Sequence, residues 1–117
     1  MENGKHEKLW KLFERPQNVD MQSLERAFAH HLEYDVGKYK LNTTQADIYQ
    51  ALALTIRDTL IDRYNDTQEY YKEIKAKRVY YLSLEFLIGK LLDSNLVNLG
   101  MREITRDTMA DFGFSLN

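Results

Sequence analysis

The 117 residues include no cysteine, one proline, five glycines and one tryptophan. Without cysteine, disulfide frameworks and thiolate metal sites are excluded. Charge of one sign is also missing: 16 basic against 18 acidic residues leave a formal charge of −2 and a pI near 5.9. That balance gives no long-range field to draw in nucleic acid or an acidic membrane. There is no charged-then-apolar leader and no apolar run of about 18 residues, so a soluble cytoplasmic protein is the default expectation. Internal repeats and low-complexity tracts are absent as well. What is present is the makings of a core, with 44% hydrophobic residues in a chain the size of one ordinary domain.

Taken in order, Met1 to Lys5 reads as a polar, frayed start. His6 to Glu14 carries Leu9, Trp10, Leu12 and Phe13 among Lys and Glu, a short amphipathic helix that Pro16 stops. Asn18 or Asp20 caps a second helix, in which Met21, Leu24, Phe28, Leu32 and Val36 recur at three- or four-residue spacing until Gly37. After a short polar and aromatic connection, Thr44 with Asp47 three residues later starts the longest helix, from Gln45 to about Ile74. Ile48, Leu52, Ile56, Leu60, Tyr64, Thr67 and Tyr71 form one stripe along it. Its end is basic, as the negative pole of a helix dipole favours.

Val79 to Leu84 changes character: it is a run of β-branched, aromatic and aliphatic residues without strict polar alternation. Strands buried on both faces of a parallel sheet read this way. Glu85 closes the run and so falls at a strand's carboxyl end, where open α/β sheets bind ligands. Two further helices are expected, one from Leu87 or Leu91 to Leu99 stopping at Gly100, and one near Arg102 to Asp111 closing at Gly113. No second convincing strand accompanies the first. A doubly buried strand needs neighbours for its backbone groups and layers on both faces, so the sequence reads as an incomplete α/β fold.

Arg78-Val79-Tyr80-Tyr81-Leu82-Ser83-Leu84-Glu85-Phe86, with Gly89, Lys90, Asn95, Val97, Asn98 and Leu99, closely resembles the first core strand and following helix of the α-glucan phosphorylases. The resemblance continues upstream through Ala51-Leu52-Ala53, Thr55-Ile56-Arg57-Asp58, Leu60, Thr67-Gln68 and Tyr71, and weakly to Phe28, His31 and Leu32, covering roughly residues 24 to 100. It implies a mainly helical amino-terminal segment, residues 1–76 with about three helices, leading into the first strand of a doubly wound sheet in residues 77–117. The parent activity it implies is transfer of glucose from the non-reducing end of an α-1,4-glucan to inorganic phosphate, giving glucose-1-phosphate. Pyridoxal phosphate is the implied cofactor. The family's cofactor lysine and glycine-rich loop lie further along, so this chain alone is expected to bind no cofactor and transfer no glucose. A homodimer is also implied, with Tyr39 and Leu41 in the connection as candidate contacts to the other subunit.

By the same resemblance Glu85 matches a glutamate lining the catalytic cleft, in a supporting role. A single carboxylate cannot supply glycosidase chemistry, which needs a pair, and on residues alone a glutamate after a strand equally caps the next helix. The animal enzymes carry a phosphorylation switch and an AMP site in this region. No Ser or Thr precedes Ser23, and counting without gaps the AMP-site aspartate and tyrosine positions fall on Tyr39 and Lys72, with Gln68 matching a glutamine nearby. The parent is therefore expected not to respond to AMP.

Other features read more plainly. His30 and His31 point about 100° apart on a helix and no acid at i+4 is taken to complete a metal pattern with them or with His6, so His31 reads as a packed helix-face residue. Lys72, Lys75, Lys77 and Arg78 read as a solvated helix end, and Tyr70, Tyr71, Tyr80 and Tyr81 as core or interface residues. The reading that competes with a phosphorylase is a stand-alone helical interaction module that adds its strand to a partner's sheet.

Overall fold

The computed structural model describes residues 19–39, 42–85 and 89–116. The expected helix at His6 to Glu14, Leu41, and Phe86 to Ile88 lie outside the described residues. Four α-helices make up the described chain: α1, Met21–His30; α2, Gln45–Glu73; α3, Leu91–Leu99; and α4, Arg102–Asp111.

Local chemistry sets the start of the first two helices. Asp20 accepts the Ser23 amide at 2.7 Å while its own amide donates to Ser23 Oγ at 3.2 Å, a reciprocal cap on α1. Thr44 and Asp47 do the same for α2: the Asp47 amide donates to Thr44 Oγ1 at 3.3 Å and the Thr44 amide to Asp47 Oδ2 at 2.8 Å. Left-handed glycines close α3 and α4, whereas α2 runs out at Lys75, a non-glycine residue with φ 50°. Gly100, at φ 68°, stops α3 with the Met101 amide returning to the Leu96 carbonyl at 2.9 Å.

The amide bonds that stabilise these caps also hold the Asp20 and Asp47 carboxyls below their ordinary value of 3.8. A carboxyl depressed in the folded state contributes stability that is present above the unfolded value and lost as pH falls through the folded one. Helical ellipticity is thus expected to fall as pH drops below about 4, and Asp47→Asn should flatten that loss. An acid titration followed by circular dichroism checks it.

Between α1 and the connection stands an element that the sequence pattern does not announce. His31–Asp35 forms one turn of π-helix, with the Val36 amide bonded to the His31 carbonyl at 2.9 Å. The Lys38 amide then reaches the Leu32 carbonyl at 3.0 Å, and Gly37 takes φ 68° to turn the chain away.

Leu24 and Phe28 of α1, Ile48, Ala51, Leu52 and Ile56 of α2, Leu96 and Leu99 of α3, and Met101 and Met109 around α4 form one buried cluster. Phe112 closes it by stacking on Phe28 at 5.4 Å between ring centroids. Arg63 of α2 donates from Nη1 to the Leu99 carbonyl at 2.9 Å, filling an acceptor that the end of α3 leaves open. Helices from both sides of residue 76 therefore share one core. The inward face around α4 holds Met101, Thr108 and Met109 together with Thr105, which is fully buried. Neither the Thr105 nor the Thr108 hydroxyl has a hydrogen-bond partner among the described residues.

Two expectations need correction. The apolar stripe of α2 is covered only in its first half: Tyr64, Tyr70 and Tyr71 are exposed, and the last buried residue of the helix is Ile56. Helical periodicity marks a face able to be buried, and burial ends where the packing helices end. The strand at Val79–Leu84 does not form either. These residues are neither strand nor helix, with Val79 84% and Leu82 92% exposed, and Tyr80 and Tyr81 in solvent rather than in a core. The physical reason is the missing neighbour: with no other strand among the described residues, the backbone groups have no ladder to join. The described architecture is accordingly mainly helical, and no helix in it is long and apolar enough to cross a membrane.

Candidate functional site

Glu85 lies at the far end of the extended run, exposed, and its amide donates to Ser83 Oγ at 3.1 Å. With no second carboxylate held against it among the described residues, Glu85 is by itself a solvated acid able to accept hydrogen bonds. Gln68 is half-buried on the free half of α2, one turn before Lys72. Lys72 lines a shallow surface depression with Glu69 and Glu73, two acids that offset its charge. Tyr39 is 70% exposed in the connection, where its carbonyl accepts from the Asn42 amide at 3.0 Å and from Thr43 Oγ1 at 3.3 Å. The fold therefore spreads Glu85, Gln68 and Tyr39 over separate surfaces instead of gathering them.

The most enclosed polar constellation is one that sequence reasoning does not assemble. The ring of His31 is buried, with Nδ1 against Asp35 Oδ2 and Nε2 3.0 Å from Asp58 Oδ2 on α2. The packed face expected for His31 is therefore observed. Asp35, however, does stand at i+4 from it, and that spacing was the available signal. Asp58 sits 27 residues away and only the packing of α1 on α2 reveals it. His30 is exposed, with its ring edge-on to His31 at 5.8 Å and tilted on Tyr34 at 5.0 Å. Among the described residues no three His, Cys, Asp or Glu side chains converge as a metal site would require.

An open groove of about 240 Å³ runs between α2 and α3, walled by Ile56, Leu60, Leu91 and Leu92 with Tyr49, Arg57 and Asn95 at its polar points. Arg57, Leu60 and Asn95 belong to the segment whose residues resemble the phosphorylases. Comparison with known proteins carries that resemblance further. Over 108 residues the chain is 37% identical to glycogen phosphorylase 2 of Dictyostelium discoideum, an alignment covering 92% of this chain and 11% of that protein. The chain matches a stretch of the glycogen phosphorylases. It is 38% identical over 97 residues to the brain form of glycogen phosphorylase from Bos taurus, covering 83% of this chain and 12% of the relative. Against the Bos taurus liver form the identity is 39% over 93 residues, covering 80% and 11%. The chain thus spans about a ninth of the length of the curated relatives it matches. No protein-family model matches it.

A Schiff-base lysine for pyridoxal phosphate must lose its charge, which desolvation favours. Every described lysine of the chain is solvent-accessible: Lys72, Lys75, Lys77 and Lys90 are exposed, and the Lys38 side chain is 37% exposed and paired with Asp47 at 3.7 Å. These residues do not fit the group, and no step through it is derived from them.

Proposed function

We propose that the chain is the amino-terminal part of an α-glucan phosphorylase, cytoplasmic and dimeric, whose whole form uses pyridoxal phosphate to move glucose from the non-reducing end of an α-1,4-glucan onto inorganic phosphate. The strongest support is identity of 37 to 39% with glycogen phosphorylases over four-fifths or more of the chain. The fold adds physical support. An apolar run left in water beside a formed helical core is what remains of a sheet's first strand when its neighbours are supplied from elsewhere. On this reading Val79–Leu84 pairs within a doubly wound sheet of the whole enzyme, and Glu85 then stands at the sheet's carboxyl edge as a supporting hydrogen-bond acceptor in the cleft. The 117 residues alone contribute scaffold rather than turnover.

The test is a phosphorolysis assay on the whole protein. Glucose-1-phosphate should appear only when both inorganic phosphate and an α-1,4-glucan are supplied, and its absence would remove the reading. In the same assay millimolar AMP should leave the rate unchanged, because Lys72 cannot stack on adenine as a tyrosine ring does. Clear stimulation would contradict that. The other reading, a self-contained helical module that lends Val79–Leu84 to a partner's sheet, rests on the same exposed run. It predicts no phosphorolysis by any longer product of the gene.

A further inference from the structure

His31 opens the π turn, and both of its ring nitrogens face carboxylates: Asp35 from the turn itself and Asp58 from α2. A carboxylate only accepts hydrogen bonds, whereas a neutral imidazole has one N–H and one bare lone pair. Both contacts are satisfied together only by the ring that carries a hydrogen on each nitrogen. In either neutral tautomer a lone pair is turned on a carboxylate oxygen at hydrogen-bond range. The His31 side chain is 11% exposed, while those of Asp35 and Asp58 are 49% and 39% exposed, so the acids reach solvent and the ring does not. The other titratable groups nearby are His30 from α1, edge-on to the ring, Glu33 and Tyr34 on the turn, and Arg57 and Asp62 beside Asp58 on α2.

The backbone links this cluster to the connection that leads into α2. The His31 and Leu32 carbonyls accept the Val36 and Lys38 amides, and Lys38 in turn reaches Asp47 at the start of α2. We propose that Asp35, His31 and Asp58 form a proton-operated latch. With both ring nitrogens protonated the latch ties the π turn to α2. When the ring gives up one proton, one of the two bonds opens and the connection beginning at Gly37 loosens. The π turn suits this role because its wide, weakly bonded backbone is easily rearranged. The latch operates whatever reaction the whole protein catalyses.

The test combines nitrogen NMR of the imidazole with amide hydrogen exchange at Val36 and Lys38, on the full 117-residue chain at pH 6 and pH 8, either side of the interval where imidazole titrates. The expected result is a His31 ring with hydrogen on both nitrogens at pH 6 and on one at pH 8. Protection of these two amides, corrected for intrinsic exchange rates, should fall about tenfold across that interval, the effect of losing one charge-assisted bond. Asp58→Asn should flatten the change, because a carboxamide either accepts from Nε2–H or donates to the bare nitrogen. A singly protonated His31 at pH 6, a ring that keeps both hydrogens at pH 8, or the same pH dependence in Asp58→Asn as in the unsubstituted chain, overturns the latch. If Asp58→Asn does not fold, the ring protonation of the unsubstituted chain decides the matter alone.

Discussion

Leu96→Ala is expected to lower the stability of the helical core by about 2 to 5 kcal/mol, while Val97→Ala beside it changes stability by less than about 0.5 kcal/mol. Leu96 is 2% exposed and Val97 55%. A nine-residue helix such as α3 cannot hold itself together in water, so its conformation depends on what its apolar side chains bury. Leu96 and Leu99 are the two that do so, aided by the Arg63 bond to the last carbonyl. A single core of this size supplies only marginal stability, so the larger loss should release α3 and α4 from α1 and α2. Urea denaturation of the two variants measures the difference, and equal midpoints would mean that α3 is not docked as described.

The second large effect separates this chain from the whole enzyme. Leu82→Asp should be nearly silent in the 117 residues, within about 0.5 kcal/mol, because the side chain it replaces is 92% exposed. In the whole protein, on the proposed reading, the same change puts an unpaired carboxylate into a doubly covered strand. Burying such a group without a partner costs several kcal/mol, enough to prevent a soluble, folded product. Soluble yield and thermal midpoint of both proteins, with and without the substitution, test this contrast. A full-length Leu82→Asp variant as stable as its parent would remove Val79–Leu84 from the sheet.

How far the sequence could be read depended on the range over which each feature is determined. Helix starts at Asp20 and Thr44 and stops at Gly100 and Gly113 were legible because a cap or a left-handed residue acts within a few positions. The extent of burial along α2 was not, since periodicity is the same whether or not a neighbour covers it. Tyr64 and Tyr71 continue the stripe of Ile48 and Leu52 in sequence, yet they stand in solvent. The strand failed in the opposite way: Val79 to Leu84 has the composition of a buried strand, but strand formation requires a second strand that the described residues do not contain. Of the candidate residues, Glu85 and Tyr39 were found by pattern and are solvated here. The His31 cluster needed, for Asp58, a contact across 27 residues that no local pattern encodes.

Hydrogen exchange at Val79–Leu84, compared between this chain and the full-length phosphorylase, bears most directly on whether these residues are the first strand of a larger sheet. The amides of Val79, Tyr80, Leu82 and Leu84 should exchange at near-unprotected rates in the 117 residues and be slowed by at least about a thousandfold in the whole protein, where exchange requires opening of the core. Equally fast exchange in both would contradict the account.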